Sequence, residues 1–80
     1  MRFVPQISED EVLAALRELG YESNLPSLVE FLSERYEALD DHARSMMRNQ
    51  LTRRLTVLVK YRFVRRTGQK GHYIYTLEEE

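Results

Sequence analysis

The sequence predicts a small α+β domain, three helices followed by a β-hairpin, and three observations carry that expectation. Three stretches place apolar residues at helical spacing behind good N-terminal caps. The hydrophobic period then falls from 3.6 to 2, and the positive charge gathers on the last helix and the hairpin. Eighty residues suit one domain over 1–80, with a core from about 8 to 77 and an acidic tail at 78–80, since a chain of this size buries only about 60 to 65% of its unfolded surface. One small core and no deep catalytic cavity are therefore expected. The mixture of 42% hydrophobic and 31% charged residues is that of an ordinary globular domain rather than a disordered or fibrous chain. With no apolar run of about 18 residues and no basic-then-apolar leader, neither a membrane span nor a secretory signal is expected, and the expected address is cytoplasmic or nucleoid-associated. The chain has no cysteine, which excludes disulfides and thiolate metal sites.

The first helix is marked by Ser8-Glu9-Asp10-Glu11, a capping box in which Ser8 accepts from a first-turn amide and Glu11 reaches back, with Ile7 and Val12 as a hydrophobic staple. Val12, Leu13, Leu16 and Leu19 follow at helical spacing and Gly20 supplies a stop, so this helix is predicted over about 9–19. Its acids suit the positive end of the helix dipole. Tyr21-Glu22-Ser23 is a short connection, long enough for a minimal edge strand. Ser23 or Asn24 can cap a second helix with Pro26 in its first turn. The stripe Leu25, Leu28, Val29, Leu32 and Tyr36 carries that helix over about 25–37. Leu39-Asp40-Asp41 makes the next turn, and Asp40 or Asp41 caps a third helix over about 41–61 with Met47, Leu51, Leu55 and Leu58 as its stripe. Phe63-Val64-Arg65-Arg66 and the run from His72 to Leu77 then flank Thr67-Gly68-Gln69-Lys70-Gly71 as a hairpin. Tyr73, Tyr75 and Leu77 are expected to face the core, the register with Ile74 inward being the alternative.

The net charge of −1 hides a strong segregation. Residues 1–41 hold three arginines against ten acids, residues 42–77 hold nine lysines and arginines with no acid, and Glu78, Glu79 and Glu80 close the chain. Solvated faces normally mix signs. A segment of one sign instead creates a local positive field that a polyanion would feel.

The pattern Leu51-x3-Leu55-x2-Leu58-x2-Tyr61-x-Phe63-Val64-x-Arg66, followed by Gly71 and Tyr73-x-Tyr75-x-Leu77, resembles the end of the recognition helix running into the wing in the winged helix-turn-helix family of transcription regulators. The resemblance covers about 8–77. It implies double-stranded DNA as the partner, with the third helix in the major groove and the wing along an adjacent backbone or minor groove. Two features depart from the family: Arg62 stands where a glycine usually turns the chain, and the third helix is about twenty residues long.

The residues support the same chemistry. At about 100° per residue, those farthest from the apolar stripe are Ser45, Asn49, Thr52, Arg53, Thr56 and Lys60, with Arg48 on the flank. Arginine can pair twice with guanine, asparagine twice with adenine, and threonine offers a hydroxyl and a methyl. Ser45, Arg48, Asn49 and Thr52 lead as readers of sequence, with Arg53 and Thr56 beside them, while Arg54 and Lys60 are expected to meet phosphate or solvent. In the wing, Arg65, Arg66, Gln69, Lys70 and His72 flank a loop whose glycines permit close approach, and cations there would neutralise phosphates without specifying sequence. Arg44 lies only about 20° from Leu51 on the wheel, so either the helix begins beyond the core there or Arg44 pairs with an acid of the second helix.

Catalysis is not expected: the sequence has no phosphate loop, nucleophile elbow or paired-carboxylate arrangement. His42 and His72 are its only histidines and their spacing is not that of a metal site, so no metal, cofactor or small-molecule ligand is expected. The alternative function is a winged-helix protein-interaction module, its basic face docked on an acidic partner or its acidic helices on a basic one. Double-stranded RNA or single strands fit less well, because the third helix exposes no aromatic platform. A homodimer would multiply affinity and match palindromic DNA, and Met1-Arg2-Phe3-Val4-Pro5 is its candidate contact.

Overall fold

Each helix begins at a side-chain acceptor and ends at a residue with positive φ. The computed structural model of the chain describes residues 6–37 and 40–78, so the proposed dimer contact at residues 1–5, and Leu39 of the second turn, lie outside the described residues. Helix α1 (Glu9–Glu18) starts with the complete capping box: the Ser8 hydroxyl accepts from the Glu11 amide at 3.2 Å and the Glu11 carboxylate accepts from the Ser8 amide at 3.4 Å. Asn24, not Ser23, caps α2 (Leu25–Arg35), accepting from the Ser27 amide at 2.8 Å. Asp40 caps α3 (Asp41–Lys60), accepting from the Ala43 amide at 2.7 Å. Such caps satisfy amides that the helix itself leaves without acceptors.

The C-terminal stops explain why the helices end one or two residues before the predicted bounds. Gly20, Glu37 and Arg62 have φ of 86°, 56° and 65°. After α1, the Gly20 amide donates to the Arg17 carbonyl and the Tyr21 amide to that of Leu16. After α3, Arg62 donates to Val59 and Phe63 to Leu58 in the same pair of bonds, which is the Schellman closure. Arg62 therefore performs the turn that glycine usually performs, in a conformation that a Cβ disfavours.

Because Phe63 still belongs to this closure, β2 begins at Val64 (Val64–Thr67) and β3 follows as Ile74–Leu77. Their register pairs Val64 with Leu77 and Arg66 with Tyr75. The loop closes through the His72 amide donating to the Gln69 carbonyl at 2.8 Å. Gly68 is required there: at φ 97°, a Cβ would lie 2.7 Å from the His72 carbonyl oxygen. The connection after α1 forms a strand, β1 (Glu22–Asn24), which pairs antiparallel with β3. The hairpin is thus part of a three-stranded antiparallel sheet ordered β1-β3-β2, with β3 in the middle.

Helix α3 runs through the centre of the fold and packs on α1, α2 and β2. Ala43, Met47, Leu51, Leu55 and Leu58 are buried along it, spaced by three and four as one helical face requires. They meet Val12, Ala15 and Leu16 of α1, Leu28 and Leu32 of α2, and Val64, Tyr75 and Leu77 of the sheet in one core cluster. Tyr75 and Leu77 face inward as expected. Tyr73, also expected in the core, is only half-buried at its edge.

Candidate nucleic-acid interface

A β-strand alternates its side chains between two faces, and here that alternation assigns opposite fates to two adjacent arginines. Val64, Tyr75 and Leu77 pack on the core, so Arg66, two residues after Val64 and opposite Tyr75, shares their face. Beyond the end of the core this face bounds a cleft of about 260 Å³. One wall is α3, through Arg48, Thr52 and Thr56; the other is the hairpin, through Arg66, Gly71, Tyr73 and Tyr75. Leu25 and Pro26, in the first turn of α2, complete the lining. The Arg66 guanidinium lies 4.4 Å from the centre of the Tyr73 ring, a cation–π contact, and Tyr73 in turn meets Tyr75 edge-on with centroids 6.4 Å apart. Arg65 is on the opposite face of the sheet and ion-pairs with Glu78 at 3.3 Å.

The other flank of α3 is closed. Arg54 donates from Nε to the Ile7 carbonyl at 2.9 Å and from Nη1 to Glu9 at 3.2 Å, while the Ile7 amide donates to Gln50 at 2.7 Å. Arg54, expected at phosphate or solvent, instead ties the start of α1 to α3. Its position about 60° from Leu51 places it against α1 rather than outside. Arg44 pairs with Glu30 of α2 at 3.1 Å, which resolves its place beside the core.

The nine cations of residues 42–77 therefore fall into two groups. Arg44, Arg54 and Arg65 meet carboxylates. For Arg48, Arg53, Lys60, Arg62, Arg66 and Lys70, no carboxylate partner occurs among the described residues. All six are exposed.

Of the residues expected to contact DNA, the fold gathers Arg48, Thr52, Thr56 and Arg66 around the cleft. Ser45, Asn49 and Arg53 are exposed on α3 outside it, and Gln69, Lys70 and His72 are exposed at the hairpin tip. The threonine hydroxyls are already committed. Thr52 donates to the Arg48 carbonyl at 2.9 Å and Thr56 to the Thr52 carbonyl at 2.8 Å, leaving oxygen lone pairs and methyls to face a partner. Sequence reasoning overlooked Tyr73 as the support of Arg66, and Leu25 and Pro26 as cleft residues. The first had a signal in the period of two that places positions 64 and 66 on one face. The second had none, because it depends on where the start of α2 falls against the hairpin.

No protein-family model, curated protein or solved structure matches the chain. Among the described residues, no helix is long and apolar enough to cross a membrane, and no group of three or more histidine, aspartate or glutamate side chains could hold a metal ion.

Proposed function

We propose that this chain is a winged helix-turn-helix domain that binds double-stranded DNA, with α3 in the major groove and the β2–β3 hairpin as the wing on the adjacent backbone. The element order and the central place of β3 between β1 and β2 support the fold reading. The observation that carries the functional reading is the one-signed cleft: cations without carboxylate partners stand on α3 and on the hairpin that faces it. Arg48 and Arg66 are held across the same opening, and the nearby arginines that do have partners are turned away from it. A structural role would favour pairing these charges with the ten acids of the N-terminal half; a phosphate-binding role leaves them open. On this reading the protein regulates transcription by occupying DNA, performs no reaction, and works as a homodimer on paired half-sites.

The test is binding of the purified protein to a random-sequence duplex at rising salt. With about three to six phosphates neutralised, log K should fall against log salt with a slope of about −3 to −5. Binding that is absent at low salt, or indifferent to salt, rejects the proposal.

A further inference from the structure

Resting on the DNA reading, we infer that the cleft between α3 and the hairpin is the seat of a single backbone phosphate, held jointly by Arg48 and Arg66, so that Arg48 is a backbone clamp and not a reader of bases. Adjacent grooves of a duplex are separated by one phosphate strand. With α3 in the major groove and the hairpin on the adjacent backbone, the opening between them is the place where that strand passes.

The cleft has the size and chemistry for this. Its volume of about 260 Å³ lies below the roughly 300–1,000 Å³ of small-molecule sites and leaves room for a phosphate group. The two guanidinium groups are the cleft's charged donors, one on each wall. Because Thr52 and Thr56 give their hydroxyl protons to helix carbonyls, the α3 wall beyond Arg48 offers methyls and oxygen lone pairs but no hydroxyl donor, and Leu25 and Pro26 add apolar surface, so the arginines are the cleft's anion-binding groups. Arg66 rests on the Tyr73 ring at 4.4 Å, which restricts its side chain before any ligand arrives and lowers the entropy lost on binding. A guanidinium fork matches the paired oxygens of a phosphate, and the cleft carries one such side chain on each wall. Ser45, Asn49 and Arg53, exposed on α3 and outside the cleft, are left as the line that meets base edges.

The test compares salt slopes on a random-sequence duplex for wild type, Arg48→Gln, Arg66→Gln and the double variant. A phosphate shared by both arginines keeps a partner when either is removed, so each single variant should lose less than the double, and the double should lose about 0.9 from the slope, the value of one phosphate. The paired Arg48→Lys, Arg66→Lys variant keeps both charges and should retain the wild-type slope, which separates loss of charge from loss of structure. Independent contacts would instead cost the double variant about 1.8, and that result overturns the inference, as does an unchanged slope. Sequence selection supplies the second arm. Arg48→Gln should recover the same bound sequences as wild type from a random pool, and an altered preference would reassign Arg48 to base reading. A wild-type protein without salt-sensitive duplex binding rejects the underlying DNA reading itself, whereas a binding wild type with additive variants rejects the shared clamp alone.

Discussion

The two flanks of α3 carry arginines of the same chemistry six residues apart, and the fold uses them in opposite ways. Arg54 lies against the start of α1, where a carbonyl and a carboxylate take up its donors. Arg48 lines the cleft opposite the hairpin, and the polar side chains lining it are threonines, tyrosines and another arginine. One is a fastener and the other an unneutralised charge. Charge counted along a chain is therefore not charge available to a ligand: what matters is whether the fold brings acids to the same flank. Here the acids of α1 and α2 reach Arg54 and Arg44, while the cleft side meets a sheet face that carries no acid among the described residues.

The largest expected effect tests the fastener. Arg54→Met keeps the aliphatic stem but leaves the Ile7 carbonyl without its donor and Glu9 without its partner. With a charge-assisted hydrogen bond at a side chain only 29% exposed, the loss should be about 1.5 kcal/mol, the half-exposed Glu9 pair adding less. Urea unfolding should show a lower midpoint with an unchanged slope, and duplex affinity should stay at the wild-type level. If affinity falls as far as it does on removing Arg48, the division into two flanks is wrong.

A smaller effect, of the opposite sign, comes from Arg62. Its φ of 65° is one that glycine adopts without strain, so Arg62→Gly should stabilise the domain by about 0.5–1 kcal/mol, read as a raised unfolding midpoint. The same change deletes a cation without a carboxylate partner among the described residues. A more stable protein that binds duplex less well would show that this left-handed arginine serves the ligand and not the fold.

The smallest stability effect belongs to the open flank. Arg48→Gln removes no contact to a carboxylate and should shift stability by no more than about 0.5 kcal/mol, measured by the same urea titration. A larger loss would make Arg48 a structural residue like Arg54 and remove the contrast between them.

Much of the architecture was legible in the residues themselves. Ser8 with Glu11, Ser23 or Asn24 ahead of Pro26, and Asp40 or Asp41 each announce a helix, because a cap is a local bond that needs no tertiary partner. The stripe from Met47 to Leu58 and the alternation from Tyr73 to Leu77 likewise follow from periodicity, since a helix and a strand repeat at fixed intervals whatever lies beside them. The helix stops at Glu37 and Arg62 were not legible, because neither residue favours a left-handed conformation. They adopt it where the chain must turn to keep the next element on the core.

The sequence alone thus determined the three helices, the hairpin, the buried stripe of α3 and the confinement of positive charge to residues 42–77, all of which depend on local bonding or on spacing along the chain. Only the tertiary structure decided that β1 joins β3, that Arg66 and Arg65 part to opposite faces with different partners, and that Arg54 is tied while Arg48 is open. Those outcomes depend on which distant segments meet, and a side chain's charge is neutralised or left exposed by neighbours that its own stretch of sequence does not name.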